Sequence, residues 1–164
     1  MLIAGNSTKR IALLKKTLSK SFAMDDLGSA KQILGMKISH DRSEKKLWLS
    51  QEGYIEKVLE RFNMPNAKLV FSPLAEHHKL SINQCPTSRK EKKVMKKVSY
   101  QSAVGNLMYA IVCTRPDIAY AVGVVSGFMS NPGEAHWAVV KWILRYLRDT
   151  SKLFLCFGNG DPVL

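Results

Sequence analysis

The apolar positions of this chain change period several times along its length, and each change marks a predicted element. Met1 to Gly5 reads as a short strand entering a turn at Gly5-Asn6. From Thr8 onward, Ile11, Leu14, Leu18 and Phe22 recur every three to four residues, which predicts a helix with those residues on its buried side and Ser7 or Thr8 as its cap. Over Lys31–His40 the period drops to two, with Leu34, Met36 and Ile38 on one face and Gly35, Lys37 and Ser39 on the other. Asp41-Arg42-Ser43-Glu44 then turns the chain, and Lys46–Ser50 returns as the hairpin partner. Helical spacing resumes after Ser50 through Tyr54, Val58, Leu59 and Phe62, and stops at Asn63-Met64-Pro65. No convincing period runs from Pro65 to Pro86, which predicts a long connecting loop. Ser88-Arg89-Lys90-Glu91 has the form of a capping box opening a short helix.

The densest pattern runs from Ser99 to Thr150. Ala103, Val104, Leu107, Met108, Ile111 and Val112 form a first helical stripe, and Ile118, Val122, Val125, Phe128 and Met129 a second. Trp137, Val140, Ile143, Leu144 and Leu147 form a third. Thr114-Arg115-Pro116-Asp117 separates the first two: Thr114 can cap, Pro116 suits a first turn, and Asp117 complements the dipole. Asn131-Pro132-Gly133 separates the second from the third. Three amphipathic helices with short joints predict a helical bundle. A terminal strand over 152–157, closed by Gly158-Asn159-Gly160, follows it. The fold class is therefore α+β, with a β-hairpin ahead of a three-helix bundle.

Charge sharpens this picture. The 164 residues carry a formal net charge of +12, which favours a polyanionic partner, most commonly nucleic acid. Residues 1–98 hold 20 basic and 9 acidic side chains, against 5 and 4 in the remainder, so the basic surface belongs to the first part. Arg89, Lys90, Lys92, Lys93, Lys96 and Lys97 form the densest run, read either as a solvated linker helix or as a non-specific nucleic-acid contact. Within the bundle, Lys141, Arg145 and Arg148 lie within about 60° of one another on one helix face. They flank the apolar stripe and are expected to be solvated, either as an ordinary wet face or as a track for phosphates.

Other chemistry is sparse. Cys85, Cys113 and Cys156 are too scattered for a disulfide framework or zinc motif, and Cys113 and Cys156 read as small hydrophobes. His77-His78 lacks a third ligand at useful spacing. Asp25-Asp26 could suggest a metal-binding pair, but adjacent strand residues point to opposite faces, and the pair precedes Leu27-Gly28 in a predicted loop. The start MLIAG lacks the features of a signal peptide, and no apolar run reaches membrane-spanning length, so an intracellular setting, cytoplasmic or nuclear, is expected.

The strings SAVGNLMYA, CTRPDIAYAVGVVS, FMSNPG, HWAVVKWILRYLR and SKLFLCFG resemble the C-terminal part of the reverse transcriptase of copia-type LTR retrotransposons. The resemblance continues upstream through FAMDDLG, AKQILGMKISHDR and LWLSQEGYIEKVLERF and covers essentially the whole chain. It implies that residues 1–62 are a palm end with a primer-grip-like hairpin, 63–98 a basic connecting segment and 99–150 a thumb-like bundle. Residues 151–164 are then a strand leading toward a ribonuclease H domain. It further implies that Leu34 and Gly35 support a primer strand and that the thumb face of Lys141, Arg145 and Arg148 contacts a nucleic-acid duplex. The family enzyme holds Mg²⁺ on an aromatic-x-Asp-Asp hairpin tip. That tip would precede Met1, so no catalytic residue, metal site or cofactor is expected within these residues, and no polymerase activity from them alone. Two positions depart from the family pattern: Gly127 inside the second bundle helix, and Asp149 after the third.

Overall fold

The computed structural model describes residues 2–158. Among them are six α-helices and one antiparallel four-stranded sheet, an α+β architecture. The helices are α1 (Thr8–Ser21), α2 (Glu52–Arg61), α3 (Arg89–Met95), α4 (Tyr100–Cys113), α5 (Ala119–Ser126) and α6 (Glu134–Asp149). The strands are β1 (Gln32–Ile33), β2 (Met36–Asp41), β3 (Lys46–Ser50) and β4 (Phe154–Phe157), paired in that order.

The Lys31–His40 segment forms two strands where alternation predicts one. Leu34 and Gly35 both take positive φ, 48° and 76°, and reverse the chain in two residues so that Ile33 pairs with Met36. Positive φ at both central positions is the turn whose twist suits a tight hairpin. Beyond it, β2 and β3 pair as expected, from Lys37 opposite Ser50 to Asp41 opposite Lys46. Asp41 closes their turn by accepting from the backbone N–H groups of Ser43 and Glu44.

The terminal strand is not left without partners. β4 pairs with β3 along its length, Phe154 opposite Ser50 and Phe157 opposite Leu47, while exposing Phe154, Phe157 and Cys156 at the sheet edge. Cys156 is therefore not a core hydrophobe. Asn159 and Gly160, expected to close the strand, lie outside the described residues, as does Met1.

The core is one cluster drawn from four helices, not three. Ile55, Val58 and Leu59 of α2 join Ala103, Val104 and Leu107 of α4, Val122 and Val125 of α5, and Val139, Val140, Ile143, Leu144 and Leu147 of α6. Full burial of a Leu, Ile or Val is worth about 1.5–3 kcal/mol, so α2 adds as much per residue as the bundle helices. The buried side of α4 is rotated from the expected stripe: Tyr100 and Ala110 are buried, whereas Met108 and Val112 face outward. Tyr100 explains the rotation, since its hydroxyl donates to the Val125 carbonyl at 2.7 Å and locks α4 onto α5. α5 stops at Ser126 with Gly127 as its C-cap, so Gly127 does not interrupt a helix. Phe128 and Met129 lie past its end, half-buried.

Two N-terminal expectations do not hold. Leu2–Gly5 forms no strand. α1 forms with Ser7 as its cap, accepting from the Arg10 N–H, but buries none of its residues, and Leu13, Leu14 and Phe22 are exposed. Its basic side is partly neutralised by Asp26, which pairs with Lys15 at 2.8 Å.

Between α2 and α4 the chain is irregular but anchored. Val70 is buried, and a short 3₁₀ turn over Ile82–Gln84 carries a capping box built on Ser81. The Ser88–Glu91 capping box forms as expected.

Candidate nucleic-acid interface

The tip of the β1–β2 turn rests on the helices. The Tyr109 hydroxyl of α4 donates to the Leu34 carbonyl, and the Tyr109 ring packs 5.0 Å from that of Tyr54 on α2. Tyr54 in turn donates to the carbonyl and Oδ1 of Asn106, each at 3.2 Å. Burial pushes the Tyr54 phenol up, which keeps it a donor. A Cβ on Gly35 would meet Tyr54 at an ordinary 3.9 Å, so glycine is required here by φ and not by lack of space. Leu34 itself projects outward, 71% exposed. The hairpin therefore presents one apolar side chain on a backbone fixed from behind.

The basic face of α6 divides into two kinds of residue. Lys141 is exposed, with no hydrogen bond or ion pair among the described residues. Arg145 instead donates through Nε to the Lys68 carbonyl and lies over the Trp142 ring, 5.1 Å from its centre. Arg148 donates to the Ala67 carbonyl. The Trp142 indole N–H donates to the Ser72 carbonyl at 2.9 Å, and His77 and His78 pack edgewise against the same ring. The expectation that all three cations are simply solvated thus fails for two. Residues 67–72 lack a ladder to receive their carbonyls, and α6 supplies the missing donors. Arg145 and Arg148 strap this segment down, leaving Lys141 as the free cation of the three. A second exposed group runs along α3 and past its end, where Arg89, Lys90, Lys92 and Lys93 of the helix and Lys96 and Lys97 after it all face outward.

Two polar clusters that position these surfaces were not read from the sequence. Arg115, 1% exposed, fills the joint between α4 and α5. Its guanidinium holds Asp117 in a fork at 2.9 and 2.7 Å and donates to the carbonyl and hydroxyl of Thr150, beyond the end of α6. Burial alone would raise the Asp117 carboxyl, but Arg115 and the Tyr146 hydroxyl hold it below the usual carboxylate range. Asp117 thus stands in the first turn of the short 3₁₀ segment Pro116–Ile118, as expected, and pairs there with Arg115. Its neighbour Thr114, expected as a cap, is buried and donates to Gln51 Oε1 at 2.6 Å. The Thr-Arg-Pro-Asp string was visible, but nothing in spacing shows that Arg115 turns inward.

The second cluster centres on His136, fully buried in the first turn of α6. Its Nδ1 accepts from the Gly133 N–H at 2.8 Å, its Nε2 lies 3.2 Å from the Ser81 carbonyl, and its ring stacks on Phe128. Burial pushes its pKa down, consistent with a neutral ring that accepts at one nitrogen and donates at the other. Among the described residues no group of three His, Cys, Asp or Glu side chains could hold a metal ion. No helix among them is long and apolar enough to cross a membrane.

The structure thus holds a hairpin braced on α2 and α4 and two exposed basic groups, and comparison with known proteins gives its class. Residues 1–76 match the family described as reverse transcriptase (RNA-dependent DNA polymerase). The chain belongs to the copia-type retrotransposon Pol polyproteins and corresponds to a segment of them. It is 66% identical over its whole length to the retrovirus-related Pol polyprotein from transposon TNT 1-94 of Nicotiana tabacum, of which it covers 12%. It is 32% identical over 99% of its length to a transposon Ty5-1 protein of Saccharomyces cerevisiae, covering 51% of that protein. It is 38% identical over 97% of its length to the Pol polyprotein from transposon RE1 of Arabidopsis thaliana, covering 10%. No solved structure matches the chain.

Proposed function

We propose that these residues form the nucleic-acid-holding end of an RNA-directed DNA polymerase, with the β1–β2–β3 segment as the close of the palm and α4–α6 as a thumb. The observation that carries this reading is the braced hairpin tip: a two-residue turn whose carbonyl is tied to α4, within a chain similar along its whole length to Pol polyproteins. Leu34 and Gly35 would steady a primer strand, and Lys141 would contact backbone phosphates, with Arg145 and Arg148 contributing field more than contact. Binding of this kind is sequence-independent and steeply salt-dependent, because no base-reading arrangement accompanies the charges. On the family resemblance, the carboxylates that hold Mg²⁺ for phosphoryl transfer belong to a hairpin tip outside this segment, and the chain alone is proposed to bind without polymerising.

A second reading, a stand-alone non-catalytic binding module, draws on the exposed basic run of α3. Fluorescence anisotropy with a labelled RNA–DNA hybrid across a salt series tests both. Lys141→Ala should lower the slope of log affinity against log salt by about 1, one phosphate contact's worth. Absence of duplex binding refutes the proposal. Mg²⁺-dependent primer extension by the chain would refute its inactivity. A slope moved only by α3 substitutions would favour the second reading.

A further inference from the structure

The strongest unassigned feature is a 430 Å³ cavity at the meeting of three elements. Arg61 and Phe62, with Asn63, close the end of α2; Lys97, Val98 and Ser99 lead into α4; Ser102 lies in its first turn and Trp137 on α6. The two cations come from different elements and converge on one bowl, and neither has an ion-pair partner among the described residues. Like charges brought together around an open space repel one another, and an anion between them relieves that cost. Two serines supply hydroxyl donors, and the first turn of α4 carries no acidic side chain to occupy the place. Phe62 and Trp137, edge to face at 6.2 Å, wall the bowl with aromatic surface.

The position of Trp137 links the bowl to the candidate interface. Lys141 follows one turn further along the same face of α6, about 6 Å away at 1.5 Å of rise per residue. Neighbouring phosphates on one nucleic-acid strand are separated by a comparable distance, so adjacent groups can be served by the bowl and by Lys141.

The geometry points to the Arg61–Lys97–Ser99–Ser102 bowl as a phosphodiester site that receives the backbone of a bound nucleic-acid strand and passes it to Lys141. This deepens the proposed function and rests on it, while moving the principal contacts away from Arg145 and Arg148, which are occupied by the 67–68 backbone. The ligand is the phosphodiester group, so the site takes RNA or DNA without reading bases.

The test is hybrid-duplex anisotropy over a salt series with the Arg61→Ala/Lys97→Ala variant, thermal melting confirming its fold, and Lys9→Ala/Lys20→Ala on the distant α1 as a charge-matched control. The bowl variant should lose about 2 from the salt slope and about tenfold or more in affinity at low salt, while the control keeps the parent slope. If the parent binds and the two double variants behave alike, the bowl is overturned and the broader reading stands. If the parent does not bind duplex, both fall. In a parallel NMR titration with a short oligonucleotide, the Ser99 and Ser102 amides should shift. Equal shifts with inorganic phosphate at the same concentration would mark a free-phosphate site and overturn a strand path.

Discussion

Removal of the Arg115 guanidinium should be among the most damaging single changes available in this chain. Four hydrogen bonds leave with it, two to Asp117 and two to Thr150. Arg115→Ala abandons the Thr150 carbonyl, strips the carboxylate of its partner and opens a void below the Tyr146 ring, over which the guanidinium sits at 5.5 Å. Breaking a buried pair from one side costs about 3–5 kcal/mol, and because the Asp117 side chain is 35% exposed and can recover some water, the lower end applies, about 3 kcal/mol. For a chain of this size that corresponds to a fall in melting temperature of about 6–12 °C. Arg115→Lys keeps the charge but not the fork, and should recover less than half of the loss. Urea denaturation followed by far-UV circular dichroism measures all of these, with Asp117→Asn completing a double-mutant cycle. The reasoning is refuted if Arg115→Ala costs under about 1 kcal/mol, or if the Arg115 and Asp117 changes simply add. The pH dependence follows the same pair. Asp117 is held low in the folded state, so its contribution is full above the ordinary carboxylate value of about 3.9 and is lost as pH falls through the folded value. An acid limb of stability below about pH 4 should shrink in the Arg115→Ala protein.

Three further outcomes are expected. Gly133→Ala would drive a Cβ into the Gln84 carbonyl oxygen, and at φ −102° the penalty is collision and not backbone strain, so a loss of about 1–3 kcal/mol should appear in thermal melts. His136 has its pKa lowered by burial, so the unfolded chain binds the extra proton first and stability should fall as pH drops from about 6.5 toward the folded value. His136→Gln should flatten that slope without abolishing it, because burial and His77 hold His78 low as well. Tyr109→Phe frees the Leu34 carbonyl at a cost of about 1 kcal/mol, and amide exchange over 32–37 should quicken about fivefold while the α5 and α6 amides are unchanged.

What the sequence disclosed and what it hid have separate physical origins. Periodicity located the helices of the core because burial repeats every turn, and the Ser88–Glu91 capping box was legible because it is local, whereas the box on Ser81 was passed over inside an aperiodic stretch. The Leu34-Gly35 turn was missed because alternation continues through it: a two-residue reversal returns the chain without disturbing the count of faces, and leucine is an unusual residue for positive φ. α2 read as a helix, but its place in the core depends on partners far along the chain, which no local window reports. The inward turn of Arg115 and the strapping roles of Arg145 and Arg148 were hidden for the same reason. Their partners are Thr150 and the carbonyls of residues 67 and 68, and a cation's spacing does not say whether it meets water or backbone. Of the candidate site, the β2–β3 hairpin and the exposure of Lys141 were readable, whereas the β1–β2 tip was not and the cavity beside Arg61 and Lys97 exists only once three elements have met.

The pairing of β4 with β3 has a mechanical consequence. Ser50 and Phe154 face each other across the ladder, at the end where the chain leaves for α2 and where it returns from α6. Everything from 51 to 153 is thus a loop closed by four rungs of strand pairing. A pull applied through residues 45 and 158 acts first on the Leu47–Phe157 rung and opens the ladder in sequence toward Ser50 and Phe154. Tension along the chain reaches the helices only after the last rung parts, so the sheet acts as a clasp that shields the helical core from load carried by whatever the two ends are attached to.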